Sequence, residues 1–332
     1  MPDRGSDERG SSRQADDFSG TPNLPVKRNP FSELMNTSLD LGQTGAREGS
    51  TAPARRGRSI GEILARDGRL SVDDIARIVA LQTEKGVRFG EAAVQLGLVA
   101  KVDIQEALAR QFDYPYVLPG SSTISRDVVA AYKPFGSHAE GLRALREELI
   151  GRWIKRSDGG NALSIVSPGR REGRSYMAAN LAVVFAQMGM RTLLIDADMR
   201  HPSQRALFGL DGHNGLSAVL SRRGDGTAIY QVAPFEYLSI LPAGVQPPNP
   251  HELLAREEFA RLISRVQSQA DVVLVDTPAG SECADAQSVS VATRGALMIT
   301  RKHSTRGAYL ASFDARLREA QVNVVGTVLN EF

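Results

Sequence analysis

Short apolar runs that alternate with helical or loop stretches dominate the second half of the chain. They occupy residues 163–166, 193–195, 238–241, 272–275, 296–299 and 324–329. Near-continuous apolar runs of this length are typical of parallel strands that helices cover on both faces. The alternation therefore predicts an α/β fold with a doubly wound parallel sheet, whose ligands lie at the carboxyl ends of the strands.

A loop with the chemistry of a phosphate site follows the first of these runs. A loop between strand and helix that ends in glycine, a basic residue and serine is typical of the P-loop (Walker A) motif, which surrounds phosphates with backbone N–H groups. Ser175 is the position whose hydroxyl would coordinate Mg²⁺. Arg174 stands where lysine is usual, and Arg171 where glycine is frequent. The loop reads Ser167-Pro168-Gly169-Arg170-Arg171-Glu172-Gly173-Arg174-Ser175.

Carboxylates follow two of the other predicted strands. Asp196 and Asp198 come directly after the run at 193–195, and Asp276 comes directly after the run at 272–275. Carboxylates at strand ends that face a phosphate loop can hold Mg²⁺ and its waters, and one of them can accept a hydroxyl proton. Together with the loop, they predict a P-loop site for a magnesium nucleotide.

These motifs make the chain from about Glu140 onward resemble the bacterial tyrosine kinases of exopolysaccharide and capsule assembly, a branch of the P-loop ATPases. The resemblance implies ATP and Mg²⁺ as cofactors. It implies that Asp196, Asp198 and Arg174 are catalytic, and that Asn330 contacts the adenine. The implied metal ligands are Ser175, Asp196, Asp198 and Asp276, and the other implied nucleotide contacts are Gly169, Arg170, Arg171, Glu172, Gly173, Arg174, Ser175 and Tyr176.

The same resemblance implies an ATP-binding tyrosine kinase-like regulator of exopolysaccharide chain length, polymerisation and export. With its amino-terminal repeat and Arg174, the chain looks closest to the EpsG-type subgroup, whose members act with a separate membrane chain-length determinant protein. Glu140, Arg143 and Arg146 match the family's oligomerisation motif and, at helical spacing, lie on one face, which implies a ring-shaped homo-oligomer. Because Arg174 replaces lysine and no tyrosine cluster follows the last predicted strand, a non-phosphorylating, nucleotide-dependent assembly switch is the alternative function.

A repeat precedes the α/β part. Gly61-Glu62 recurs as Gly90-Glu91 and Asp74-Ile75 as Asp103-Ile104 at the same spacing, which predicts a small helical repeat domain over residues 58–120. The repeat resembles the amino-terminal domain of type II secretion and pilus ATPases, some of which bind cyclic di-GMP. Because Ser59 stands in the first copy where Arg88 stands in the second, we favour a protein-docking module, and cyclic di-GMP binding at residues 58–111 stays open.

The remaining segments complete the predicted organisation. Residues 1–57 are rich in Ser, Gly, Asp, Arg and Pro, which predicts a disordered tail. Residues 121–135 are interpreted as a linker and residues 136–332 as the P-loop domain.

Composition narrows the classes of function and the location. The net charge of +2, from 40 basic and 38 acidic residues, predicts no nucleic-acid partner. A single cysteine excludes an intramolecular disulfide and a cysteine-based metal site. No apolar stretch approaches the roughly 20 residues that span a bilayer, and the amino terminus lacks an apolar export signal. We therefore expect a cytoplasmic protein, peripheral to the inner face of the plasma membrane.

Overall fold

The computed structural model describes residues 59–112, 114–118, 120–156, 160–222 and 228–332. The predicted disordered tail lies outside these residues. Among the described helices, none combines the length and the apolar character that crossing a bilayer requires.

Within the described residues the strands form one seven-stranded sheet, in the order β3-β4-β2-β5-β1-β6-β7. All neighbouring pairs are parallel except β3 with β4. The six strands expected from the apolar runs are present. Among the described strands, only β3, which is two residues long, is not predicted by an apolar run. The strands are β1 Ala162–Val166, β2 Thr192–Asp196, β3 Tyr230–Gln231, β4 Leu238–Leu241, β5 Val272–Asp276, β6 Gly295–Arg301 and β7 Asn323–Asn330.

Helices cover the sheet on both faces, which confirms the doubly wound α/β fold. Because successive strand side chains point to opposite faces, Leu274 of β5 packs with α5, α6 and α7, whereas Val273 and Val275 pack with α9, α10 and α11. Helix α7 is buried along nearly its whole length. The helices of the α/β part are α5 Val129–Tyr132, α6 Ser137–Leu149, α7 Arg174–Gln187, α8 Gln204–Leu207, α9 Leu216–Leu220, α10 Pro250–Ala255, α11 Glu257–Gln267, α12 Asp285–Thr293 and α13 Gly307–Glu319.

The predicted helical repeat is present and has a core of its own, with Leu64, Ile78 and Ala93 among its buried residues. In the first turn of each helix, an acidic side chain accepts a hydrogen bond from the backbone N–H of the residue just before the helix. The four acidic residues are Glu62, Asp74, Glu91 and Asp103. Such caps satisfy N–H groups that the first helical turn leaves unpaired. The helices are α1 Ile60–Arg66, α2 Val72–Lys85, α3 Phe89–Gln95 and α4 Lys101–Gln111.

The segment interpreted as a linker, residues 121–135, is packed against the α/β part. It contains α5, and its Ile124 and Val128 are buried in the cluster that includes α7. The Ala130 N–H donates to Asn180 Oδ1 of α7 at 2.9 Å. This segment is therefore held in place by the core that it adjoins, while the domain boundaries themselves stay predictions.

Candidate nucleotide site

The phosphate loop connects the end of β1 to the start of α7, and glycine is required at its last turn. Gly173 has a φ of 93°, and a Cβ there would approach Asn330 Nδ2 to 2.2 Å. Arg171 has a φ of 56°, a left-handed conformation that costs a non-glycine residue roughly 1–2 kcal/mol. This backbone geometry explains why glycine is frequent at the position of Arg171, and its side chain is exposed.

The side chain of Glu172 stabilises the phosphate loop through two hydrogen bonds. Its side chain is buried, Oε2 accepts the Gly169 N–H at 2.8 Å, and Oε1 accepts the Thr305 hydroxyl. The carboxylate therefore connects the start of the loop, at Gly169, with its later part, and connects both with Thr305 in the segment after β6. The side-chain oxygens of Glu172 thus bind the protein, and its contact with the nucleotide stays a prediction.

Arg174 also turns inward. Its Nε donates to the Thr277 carbonyl oxygen at 2.8 Å, and its Nη1 donates to the Gly169 carbonyl oxygen at 2.7 Å and to Ser167 Oγ. The side chain is buried. Arg170, by contrast, is exposed and pairs with Glu282 at 2.7 Å.

Asp196 and Asp276 are direct neighbours in the sheet, because they are register partners at the ends of β2 and β5. Both are fully buried. Asp196 accepts three backbone N–H groups, from Asp198 at 3.1 Å and from Ser203 and Gln204 at 3.0 Å each. Asp198 accepts the His201 N–H at 2.9 Å. The sheet thus brings the predicted carboxylates together beside the phosphate loop.

Burial of these carboxylates disfavours their charged forms. It raises the pKa of Asp196 well above its ordinary range, and the neighbouring Asp276 raises it further. Burial raises the pKa of Asp276 to about 6, although the Ser175 hydroxyl and the Arg174 guanidinium partly oppose the rise. Two buried acids side by side therefore favour a bound cation or a retained proton.

Gln204 is a site residue that the sequence did not reveal. It is fully buried, and its Nε2 donates to Asp276 Oδ2 at 2.7 Å and to the Ser175 carbonyl oxygen at 3.2 Å. No local pattern marks it, since its position depends on how the chain after Asp198 returns to the sheet. It joins the P-loop serine to the carboxylate pair.

Three buried oxygens around this pair have no hydrogen-bond partner among the described residues: Ser203 Oγ, Gln204 Oε1 and Asp276 Oδ1. Unpaired buried oxygens are costly, and Mg²⁺ prefers oxygen ligands while keeping several waters of its own. The part of the chain that the structure describes contains no group of three acidic, histidine or cysteine side chains arranged to hold a metal. The unpaired oxygens beside Asp196 and Asp276 fit a hydrated Mg²⁺, and the assignment of Ser175, Asp196, Asp198 and Asp276 as its ligands stays a prediction.

The end of β7 lies against the same loop. Asn330 Nδ2 donates to the Glu172 carbonyl oxygen at 3.3 Å. Arg301 donates to the Phe332 carbonyl oxygen at 2.9 Å, and its guanidinium lies 4.2 Å from the centroid of the Phe332 ring. Tyr176 is half-buried near Asp127, and burial raises its pKa. Both Asn330 and Tyr176 thus adjoin the phosphate loop.

The predicted oligomerisation residues lie on α6, away from the loop. Glu140 is exposed and pairs with Arg143 at 2.7 Å. Arg143 also donates to the Tyr114 hydroxyl at 3.4 Å, and Arg146 donates to the Val184 carbonyl oxygen at 2.8 Å. The two arginines are therefore engaged within the chain, and their part in oligomer formation stays a prediction.

Comparison with known proteins identifies the family. No family model matches the chain. Tyrosine-protein kinase YwqD of Bacillus subtilis (strain 168) is 32% identical over 209 residues, which are 63% of this chain and 87% of that protein. The chain belongs to the bacterial tyrosine-protein kinases. The family that its motifs resemble is thereby confirmed.

Other members of the family agree in sequence and fold. Putative tyrosine-protein kinase EpsB of Ralstonia solanacearum is 31% identical over 321 residues, or 92% of this chain and 42% of that protein. The solved kinase domain of Escherichia coli tyrosine kinase ETK has a TM-score of 0.58 and 29% identity, covering 61% of this chain and 79% of that one. The EpsG-type assignment and the likeness of the helical repeat to secretion ATPases stay predictions.

Proposed function

We propose that the protein is an ATP-dependent tyrosine kinase-like regulator of exopolysaccharide chain length, polymerisation and export, acting with a membrane chain-length determinant protein. Its family supports the kinase chemistry. The observation that carries the proposal is the buried pair Asp196 and Asp276 next to Ser175, because such a pair favours a bound cation at the place where a P-loop presents phosphate. Through its membrane partner, the protein would lie at the inner face of the plasma membrane.

The residues present fit ATP and Mg²⁺. The loop from Gly169 to Ser175 and the amino end of α7 would hold the phosphates through backbone N–H groups. The Ser175 hydroxyl and the carboxylates of Asp196, Asp198 and Asp276 would hold Mg²⁺ and its waters. When bound, Mg²⁺ neutralises the negative charge that develops on the transferred phosphoryl group.

Proton removal from the acceptor hydroxyl is assigned to Asp196, with Asp198 as the second catalytic carboxylate. Asp196 combines a raised pKa with a position held by three N–H donors, so its carboxylate is fixed in place. Asp198 accepts a hydrogen bond on Oδ1 alone among the described residues, which leaves its Oδ2 available. Asn330, beside the Glu172 carbonyl, is assigned to the adenine.

A phosphotyrosine assay tests the kinase. The purified full chain is incubated with Mg-ATP, alone and with its membrane partner, and phosphotyrosine is measured on both proteins. We expect label on the partner or on the chain, and its loss in Asp198→Asn. No label on either protein, while calorimetry shows ATP bound, would contradict the kinase and leave the binding site standing.

A non-phosphorylating assembly switch is the second candidate. It is favoured by the Arg174 guanidinium, most of whose donors bind protein oxygens. In this case ATP changes the oligomer through Glu140, Arg143 and Arg146 without phosphoryl transfer. Light scattering of the parent and of Glu140→Arg, with and without Mg-ATP, separates the candidates, because an oligomer of unchanged size under all four conditions contradicts the switch.

For the helical repeat, protein docking is the role that the packing supports. A Cβ at Gly90 would approach Ile104 Cγ2 to 2.7 Å, and one at Gly61 would approach the Phe89 ring to 3.1 Å, so both glycines serve helix contacts. Gln82 donates to the Val87 carbonyl oxygen at 3.4 Å. Calorimetric titration of the full chain with cyclic di-GMP tests the alternative ligand at residues 58–111, and saturable binding there would contradict a docking role alone.

A further inference from the structure

Arg174 does more than replace the usual lysine. We propose that its guanidinium has two separate tasks: its Nε and Nη1 lock the phosphate loop to the end of β5, and its Nη2 alone donates to a phosphate. The second task rests on the proposed nucleotide site, whereas the first concerns the nucleotide-free protein.

The locking contacts reach oxygens on two different strand ends. Ser167 Oγ and the Gly169 carbonyl belong to the loop after β1, and the Thr277 carbonyl belongs to the segment after β5. These two segments are already joined by backbone hydrogen bonds of 2.9 Å, from Gly280 to Ser167 and from Ser281 to Pro168. Arg174 therefore adds a charged side-chain link to an existing junction, at a buried position where such hydrogen bonds are strong.

The hydrogen bonds of Nε and Nη1 leave the Nη2 atom of the Arg174 guanidinium available. Arginine has five N–H donors in a planar fork. The Nε donor and the two Nη1 donors account for the three contacts, and Nη2 makes no hydrogen bond to the described residues. Its two N–H groups are therefore available to a phosphate held at the amino end of α7.

Lysine cannot divide its donors in this way. Its three N–H groups radiate from one nitrogen atom at the end of a flexible stem. An ammonium group that met Ser167, Gly169 and Thr277 together would have no donor left, and one that turned to a phosphate would release the lock. In this chain the residue that is usual in P-loops is therefore expected to work less well than arginine.

The test is Arg174→Lys in the full chain, measured first without nucleotide. Because the three hydrogen bonds from the buried guanidinium are lost or weakened, we expect the melting temperature to fall by about 4–8 °C. The matched control is Arg261→Lys, an exposed arginine paired with Glu257 one helical turn away, which should leave the melting temperature unchanged. An Arg174→Lys protein as stable as the parent would overturn the lock.

The phosphate contact has its own readout. Calorimetry with Mg-ADP and with AMP compares a ligand that has a β-phosphate with one that lacks it. We expect Arg174→Lys to lose about tenfold in affinity for Mg-ADP, which corresponds to about 1.4 kcal/mol, and to keep its affinity for AMP. Equal losses for the two ligands would show a purely structural role and overturn the Nη2 assignment.

Ser167→Ala is the second variant, and it keeps the inference testable if Arg174→Lys does not fold. It removes one acceptor of the lock and leaves Nη2 intact, so we expect a lower melting temperature with an unchanged ratio of Mg-ADP to AMP affinity. An unchanged melting temperature of Ser167→Ala would overturn the lock. Where Arg174→Lys folds, combining the two changes should lower stability by less than the sum of the single effects, and additive effects would also overturn it. A parent chain that binds neither ligand would refute the proposed nucleotide site, while the melting temperatures would still decide the lock.

Discussion

Asp276 combines charge, burial and an unpaired oxygen in one side chain. Its Oδ2 is bound by Gln204, its Oδ1 has no partner among the described residues, and Asp196 is its register neighbour. A carboxylate in this position destabilises the nucleotide-free protein, because its charge is poorly compensated. The same uncompensated charge makes Asp276 a suitable cation ligand. At this residue, a feature that lowers the stability of the nucleotide-free protein therefore favours cation binding.

Asp276→Asn should therefore raise the melting temperature of the nucleotide-free chain by about 2–4 °C and weaken binding of Mg-ADP by about tenfold or more. Asparagine keeps the oxygen that Gln204 binds and removes the charge beside Asp196. Differential scanning calorimetry and titration calorimetry measure the two effects. Asp314→Asn, which changes a surface pair with Arg318, is the control, and a destabilised Asp276→Asn protein would contradict this account.

The same residue predicts a pH dependence of stability. Burial raises the pKa of Asp276 from 3.8 to about 6 in the folded protein. Between these values the folded protein holds a proton that the unfolded chain has released, so the free energy of unfolding falls as pH rises through this window. Urea unfolding at a series of pH values should show the fall in the parent and a smaller one in Asp276→Asn; identical profiles would exclude Asp276 as the cause.

Helix α7 is positioned at both ends by side chains from elsewhere. At its start, Arg174 binds oxygens of the loop and of β5. Near its end, the Val184 carbonyl belongs to the last turn, whose carbonyls lack helical partners, and Arg146 of α6 supplies the donor. The helix that presents the phosphate loop is thus held at its start by the buried Arg174 and near its end by the largely buried Arg146.

Arg146→Ala should lower the melting temperature by about 4–8 °C, since a charge-assisted hydrogen bond and the packing of a long side chain are lost. The side chain of Arg146 is only 11% exposed, whereas that of Glu140 is 67% exposed. Glu140→Ala should therefore leave stability unchanged. Thermal unfolding of both variants at a concentration where the protein is monomeric checks this contrast, and equal melting temperatures would show that Arg146 has no structural role.

At the scale of the whole molecule, the buried apolar residues described for the helical repeat form a cluster separate from the three clusters described for the α/β part. The helical repeat packs around Ile78 and its neighbours, and the α/β part packs around its sheet and α7. After α4, the chain joins the α/β part, where the Tyr114 hydroxyl donates to Gln187 at 3.1 Å and Gln187 donates to the Pro115 carbonyl oxygen at 3.0 Å. Tyr114 and Pro115 therefore already belong, by their hydrogen bonds, to the α/β part.

A chain that starts at Tyr114 should fold and bind Mg-ADP with the affinity of the full chain, because every predicted site residue and its partners are retained. Its melting temperature should lie within about 2 °C of the main transition of the parent, since no cluster of the α/β part loses a residue. Calorimetry of both chains measures these quantities. A large loss of stability would show that the repeat supports the site.

Local features were sufficient to predict every described strand except β3, together with the phosphate loop and the strand-end carboxylates of the site. Apolar runs reflect burial of single strands, and the loop with its following aspartates reflects chemistry within a few residues. For this reason the sequence alone determines the α/β fold, the phosphate loop and the strand-end carboxylates.

What only the tertiary structure decided are relations between distant segments. The sheet order places Asp196 opposite Asp276, the returning chain brings Gln204 to both of them, and the end of β5 draws Arg174 inward. Each of these depends on which strand ends become neighbours and on the space left between them. No local sequence pattern predicts the space between these strand ends, because that space forms only when helices pack on both faces of the sheet.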